Sequence, residues 1–210
     1  KNIFVTYNAV DENFFIEYSE LDKKNFREKY NLPEKYFLYV GAIEPGKNLD
    51  KLFLAFSEFI KEKSDYYLAI TSAIGWKEHE LFELIAQLGI EKNIIYLPYI
   101  SEVELPLLYK CSTLLAYLSS YEGFGLPVLE GMSAGTPVVS SKSEAIQEFS
   151  EDEIFSVNPE NILEIVETFK LITENKSIVN DKVELAKKIA QKFRWKNSAL
   201  IILEKFGKTI

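Results

Sequence analysis

At 210 residues, with 47% hydrophobic and 14% aromatic side chains, the chain is long enough to bury a sizeable core and reads as one ordinary globular domain, with at most a small appendage. A formal charge of −8 and only two arginines, Arg27 and Arg194, exclude a broad nucleic-acid footprint, which needs clustered Lys and Arg. No apolar run approaches the roughly 18 residues of a membrane span, the first residues lack the order of a secretion signal, and the lone Cys111 closes no internal disulfide, so a cytoplasmic setting is expected.

In chain order, short runs rich in aromatic and β-branched residues alternate with longer stretches of helical period, the pattern of βα units around a parallel sheet. Strands are expected at YFLYVG (36–41), YYLAIT (66–71), NIIYLP (93–98), TLLAYL (113–118), PVVSS (137–141) and EIFSV (153–157). After the first of these, Leu49, Leu52, Phe53, Phe56, Phe59 and Ile60 share one helical face, with Asn48 as the cap and Asp50 in the first turn. The next helix runs from Trp76 to Leu88, and Ser101 with Glu104 reads as a capping box opening a short helix through Tyr109. Cys111, in the apolar context LLYKCSTLLAY, reads as a buried structural thiol. The terminal 50 residues or so carry two or three amphipathic helices.

A doubly wound sheet binds its ligand outside the carboxyl ends of its strands. Two loops fall there, GAIEPGKN (41–48) and SSYEGFG (119–125), each leading straight into a helix. With arginine so scarce, an anionic ligand must be held by helix amino termini, glycine turns and one or two lysines. In the second loop Gly123 and Gly125 permit backbone angles closed to other residues, and Pro127 suits the first helical position, leaving the preceding N–H groups free for phosphate or sugar oxygens. Glu130, one turn inside, would hold two adjacent ribose hydroxyls, although the macrodipole alone also favours an acid there. Gly135 ends that helix. In the first loop Lys47 stands before Asn48, either as a solvated charge or as the neutraliser of a diphosphate, with Gly41 and Gly46 allowing close approach. His79 reads as a surface helix residue, and EDE at 151–153 as a solvated turn. No His or Cys cluster has metal spacing and no D-x-D occurs, so no metal is expected.

These residues resemble the retaining glycosyltransferases of family 4, the group 1 glycosyltransferases, built from two Rossmann-like domains in the GT-B arrangement. YNAVDENFF resembles the interdomain connection, YVGAIEPGKNLDKL the phosphate loop, GWKEHEL and YISEVELPLLY the base-side elements, YEGFGLPVLEGMSAGTPVV the E-x7-E signature and FRWKNSA the start of the closing helix. The resemblance covers only the carboxyl-terminal, donor-binding half. It implies an interdomain connection at 1–20, a nucleotide-sugar-binding Rossmann-like domain at 21–195 and a closing helix at 196–210 packed on an amino-terminal acceptor domain outside this chain. It also implies that Glu122 lies near the donor sugar and that the N–H groups of Gly123, Phe124, Gly125 and Leu126 meet sugar and phosphate oxygens. Glu130 would take the ribose, Lys47 the diphosphate, and Tyr99 and Ile100 the base. The implied reaction moves a hexose from a nucleoside-diphosphate sugar, without a metal or other cofactor, to a carbohydrate or lipid-linked acceptor. This would occur at the inner face of a bacterial membrane, contacted only through the absent domain.

Two departures stand out. The arginine usual in this phosphate loop is missing, with Ala42 and Gly46 at its two usual positions, so Lys47 and the helix amino termini would carry the leaving-group charge alone. Ser72, after Thr71, replaces a common glycine before GW. Three readings are open at this point: a transferase domain with GDP-mannose as first choice of donor, a non-catalytic nucleotide-sugar-binding or interaction module, and a glycoside hydrolase using Glu122 and Glu130.

Overall fold

The hydrophobic strands are buried on both faces, which is what a parallel sheet requires. The computed structural model describes residues 3–71, 78–150 and 152–207. It contains β1 (Tyr36–Val40), β2 (Tyr67–Thr71), β3 (Ile94–Tyr96), β4 (Leu114–Tyr117), β5 (Val138–Ser141) and β6 (Phe155–Val157), all parallel and ordered β3-β2-β1-β4-β5-β6. Every residue of β4 and β5 is buried. The expected six-stranded Rossmann-like sheet is therefore present, each strand within a residue or two of its expected place.

The order reverses between β1 and β4, which pair with Phe37 opposite Leu114 and Leu38 opposite Leu115. From β1 the chain winds outward through β2 and β3, then returns to the centre and winds the other way through β5 and β6. Helices α2 (Leu49–Ile60), α3 (Glu78–Leu88) and α7 (Ile162–Glu174) form one layer, with α2 packed on both α3 and α7. Helices α4 (Leu105–Cys111), α5 (Leu126–Ala134) and α8 (Lys176–Ala190) pack on one another around α5, with α1 (Glu20–Lys29) against α4, and a single turn of helix, α6 (Glu144–Gln147), follows β5. The core centres on Phe37, whose ring lies 4.8–5.8 Å from those of Phe56, Phe59, Tyr66 and Phe169.

Three local expectations are corrected and one helix is added. Helix α1 was not among the predicted elements; Ser19 and Asp22 form its capping box, with reciprocal bonds of 3.1 and 3.0 Å. The box expected at Ser101 does not form. The Glu104 carboxylate takes the Ser101 hydroxyl at 3.0 Å, the Tyr30 hydroxyl at 2.9 Å and Lys29 but no backbone N–H, and α4 starts at Leu105 with Pro106 in its first turn. Asn48 precedes α2 but sits in the left-handed region at φ 52° and caps nothing with its side chain. Pro127 occupies the second position of α5, behind Leu126. Gly135 does end α5, at φ 75°. The expected start of α3 at Trp76, and Ser72, lie outside the described residues, as does the first residue of EDE.

Helix α9 (Trp195–Gly207) buries none of its side chains. It lies beside the amino-terminal segment, with Ser198 Oγ donating to Tyr7 O at 2.8 Å and the Phe4 and Phe206 rings 6.3 Å apart. Among the described residues no helix is long and apolar enough to cross a membrane. Removing the hub of the core, Phe37→Ala, should cost about 3–5 kcal/mol in urea denaturation. A loss under about 1 kcal/mol would show that the four surrounding rings do not depend on it.

Candidate active site at the sheet switch point

Because β1 and β4 are neighbours, the loops that leave their carboxyl ends lie side by side. In the first loop Gly41 has φ 147°, and a Cβ there would come within 3.3 Å of the Tyr39 hydroxyl oxygen. Its N–H is already spent on Thr71 O at 3.2 Å, so Gly41 permits close approach without offering a donor. A short 3-10 turn over Pro45–Lys47 then raises Lys47 toward the second loop. Asn48 ties the loops together: its side-chain amide donates to Leu118 O at 2.6 Å and to Ser120 Oγ at 2.8 Å, while Ser120 N donates to Gly46 O at 2.9 Å. Sequence reasoning assigned Asn48 only as a helix cap. The available signal was the residue type, since Asn tolerates the left-handed region better than most residues.

Lys47 and Glu122 meet across this junction, Nζ to Oε1 at 2.6 Å, with side chains 17% and 11% exposed. The Tyr117 hydroxyl donates to the same Oε1 at 2.7 Å. Burial pushes the Glu122 carboxyl up, but hydrogen bonds from Lys47, Ser119 and Tyr117 outweigh it and leave it below the ordinary glutamate value. Glu122 also borders a cavity of about 430 Å³ with Tyr121, Lys142, Glu144 and Glu148 on its walls.

Beyond Glu122 the backbone turns into α5 through Gly125, whose φ of 91° places it in the left-handed region. A Cβ on Gly125 would stand 2.9 Å from Ile146 Cγ1, so both conformation and space demand glycine. Gly123 is different: its φ lies outside the left-handed range and a Cβ there would meet nothing within 4 Å, which corrects the expectation that it needs special angles. Among the described residues, the amides of Gly123, Phe124, Gly125 and Leu126 make no backbone hydrogen bond, and the ladder of α5 starts with Val128 N to Gly125 O. The Phe124 ring turns away, packing 5.2–6.2 Å from Tyr7, Phe149 and Phe193, so only its backbone faces the rim.

Glu130 is half-buried and receives the hydroxyl of the fully buried Tyr109 at Oε2, 2.6 Å. Burial pushes its carboxyl above the ordinary value, and the Tyr109 bond only partly offsets this. Its negative charge also helps to raise the Tyr117 phenol. Tyr99 is 84% exposed on the loop after β3, whereas Ile100 is buried at 6%, so only the backbone of Ile100 is available there. His79 is exposed on α3 and faces Glu83 at 3.3 Å. Cys111 is buried.

A doubly wound sheet whose switch point gathers a lysine, two carboxylates and unpartnered helix amides defines a Rossmann-like domain of the GT-B kind. The sequence profile of the family described as "Glycosyl transferases group 1" matches residues 22–194. The chain belongs to that family. Over 136 residues it is 37% identical to O-antigen chain mannosyltransferase B of Escherichia coli, a match spanning 64% of this chain and 36% of that protein. Over 187 residues it is 27% identical to the serotype-specific mannosyltransferase WbdA of Escherichia coli, covering 88% of this chain and 23% of the relative. The chain thus spans well under half the length of these relatives. In fold it is similar to Anabaena Alr3699/HepE, solved with UDP and glucose (TM-score 0.85, 22% identity, 97% of this chain and 56% of that one). It is likewise similar to the C-terminal domain of the group 1 glycosyl transferase LpcC of Francisella tularensis (TM-score 0.76, 23% identity, 89% of this chain and all of that one).

A carboxyl whose folded-state pKa is raised makes folding less favourable as pH climbs through that value. Glu130→Gln should therefore melt higher than wild type at pH 7, with the difference closing near pH 4, where both side chains are neutral. Equal melting temperatures at pH 7 would show that the Glu130 charge is not held at a cost.

Proposed function

We propose that the chain is the donor-binding half of a retaining, family 4 hexosyltransferase. The observation carrying this reading is the 2.6 Å contact between Lys47 and Glu122, brought from separate loops to stand beside unpartnered amides at the start of α5. A nucleoside-diphosphate sugar fits this arrangement in a definite orientation. Its diphosphate meets Lys47 and the amino terminus of α5, where a helix presents about half a positive charge. Its hexose lies over the amides of Gly123, Phe124, Gly125 and Leu126 and donates a hydroxyl to Glu122. Its pentose reaches Glu130, and its base lies toward Tyr99 and the backbone of Ile100.

In such a transfer the largest electrostatic demand is the charge growing on the departing diphosphate. Lacking an arginine at either Ala42 or Gly46, this loop meets that demand with one lysine and fixed backbone dipoles. The absence of a D-x-D motif supports a reaction that needs no metal. GDP-mannose is the donor of first choice, because the curated relatives above are named mannosyltransferases. The acceptor, a carbohydrate or lipid-linked saccharide at the inner membrane face, would sit in an amino-terminal domain docked on α9 and the segment beside it. Leu200, Leu203 and Phe206 of α9 are 53%, 66% and 64% exposed, an apolar face suited to that contact.

The opposed shifts of Glu122 and Glu130 favour a second reading, a glycosidase acid and nucleophile. Nitrophenol release from a nitrophenyl glycoside, lost in both Glu122→Gln and Glu130→Gln, would be its mark. The first reading predicts a different result. In a thermal-shift panel of GDP, UDP and ADP, at least one nucleotide at 100 times its dissociation constant adds roughly 2.7 kcal/mol. Lys47→Ala weakens that binding about tenfold or more, and a chelator leaves transfer by the longer enzyme unchanged. No stabilisation by any of the three at millimolar concentration would contradict the proposal.

A further inference from the structure

We propose that Tyr117 is a positioning residue for the reaction described above: its hydroxyl keeps the Glu122 carboxylate in place when Lys47 leaves that carboxylate for the donor diphosphate. The inference rests on the donor-site reading, and it starts from a conflict within the unliganded site. The one cation of the phosphate loop is already paired, its Nζ 2.6 Å from Glu122 Oε1. An incoming diphosphate must take that lysine over. Its departure leaves a carboxylate that is only 11% exposed with the Ser119 and Tyr117 hydroxyls alone, and an under-partnered buried charge is costly.

Tyr117 supplies a second donor that cannot follow the lysine. It is the last residue of β4 and 3% exposed. Its ring stacks with that of Tyr39 at 6.3 Å and 21°, and its carbonyl accepts from Ser140 Oγ at 3.0 Å. From this fixed place its hydroxyl reaches Oε1 at 2.7 Å. Burial and the neighbouring carboxylate hold the phenol well above its ordinary pKa, so it stays a donor throughout the working range. Lys47 Nζ also lies 5.5 Å from the Tyr117 ring centroid, so the ring face keeps the ammonium close as it changes partners.

Tyr117→Phe removes the hydroxyl and keeps the ring. The other charged or titratable groups around Glu122 are Lys47, Tyr39 on β1, Glu130 on α5, and Lys142, Glu144 and Glu148 on the cavity wall. All are left in place by the substitution. With the chain labelled at glutamate carboxyl carbons, the Glu122 midpoint should move up in Tyr117→Phe while that of Glu130 shifts much less, reporting an intact fold. Binding of the nucleoside-diphosphate hexose whose nucleotide the thermal panel selects should weaken about tenfold near neutral pH. Since Glu122 must be ionised to accept the hexose hydroxyl best, the acid limb of that binding should move to higher pH. An unchanged Glu122 midpoint with wild-type affinity would overturn the role of Tyr117 and leave the donor-site reading standing. A raised midpoint in a protein whose wild type binds no nucleoside diphosphate would overturn the proposal through the reading on which it rests.

Discussion

Lys47 and Glu122 stand 75 positions apart in the chain and 2.6 Å apart in space, and the site depends on that convergence. It follows from one feature of topology, the pairing of β4 with β1 at the centre of the sheet. Had β4 paired with β3, the lysine loop and the glutamate loop would leave from distant strands and no short side chain would bridge them. The pairing is reinforced locally by Asn48, which bonds the Leu118 carbonyl and the Ser120 hydroxyl, so the two loops behave as one piece of structure. A rigid junction matters because a partly buried ion pair is worth little by itself, while a charge left without its partner there is expensive. The site therefore favours a ligand that replaces each partner it displaces.

The same rim is connected to the rest of the molecule by aromatic packing. Phe124, in the middle of the glycine turn, is held between Tyr7 of the amino-terminal segment, Phe149 beyond β5, and Phe193 just before α9. Tyr7 and Phe193 also touch each other, 5.5 Å between centroids. The backbone amides that face the rim are thus positioned by the two stretches of chain nearest the exposed apolar face of α9. Forces applied to that face by a docked domain would reach the amides through four rings, without passing through the sheet.

Much of this was legible in the sequence because burial on both faces of a parallel sheet writes itself as uninterrupted apolar runs, and all six did become strands. The meeting of the two loops was legible for the same reason, since strand ends on one rim follow from βα alternation. Capping was not. Ser19 and Asp22 form a capping box, whereas Ser101 and Glu104, with similar chemistry and the same spacing, do not. The difference lies in Lys29 and Tyr30, more than 70 positions away, which share the Glu104 carboxylate with the Ser101 hydroxyl and leave no backbone bond to close the box. Tyr117 and Tyr109 were missed for a related reason: within a strand or helix run they count as hydrophobic, and only three-dimensional placement shows that each hydroxyl ends on a glutamate. Glycines divided similarly, Gly125 being demanded by its backbone and by Ile146, and Gly123 by neither.

A crystal of this chain soaked with GDP-mannose tests the central claim most directly. The account predicts diphosphate oxygens within hydrogen-bonding reach of Lys47 Nζ and the first amides of α5, with the Lys47–Glu122 contact opened, the hexose against Glu122 and the pentose against Glu130. Density for the nucleotide elsewhere on the molecule, with Lys47 still closed on Glu122, would contradict it.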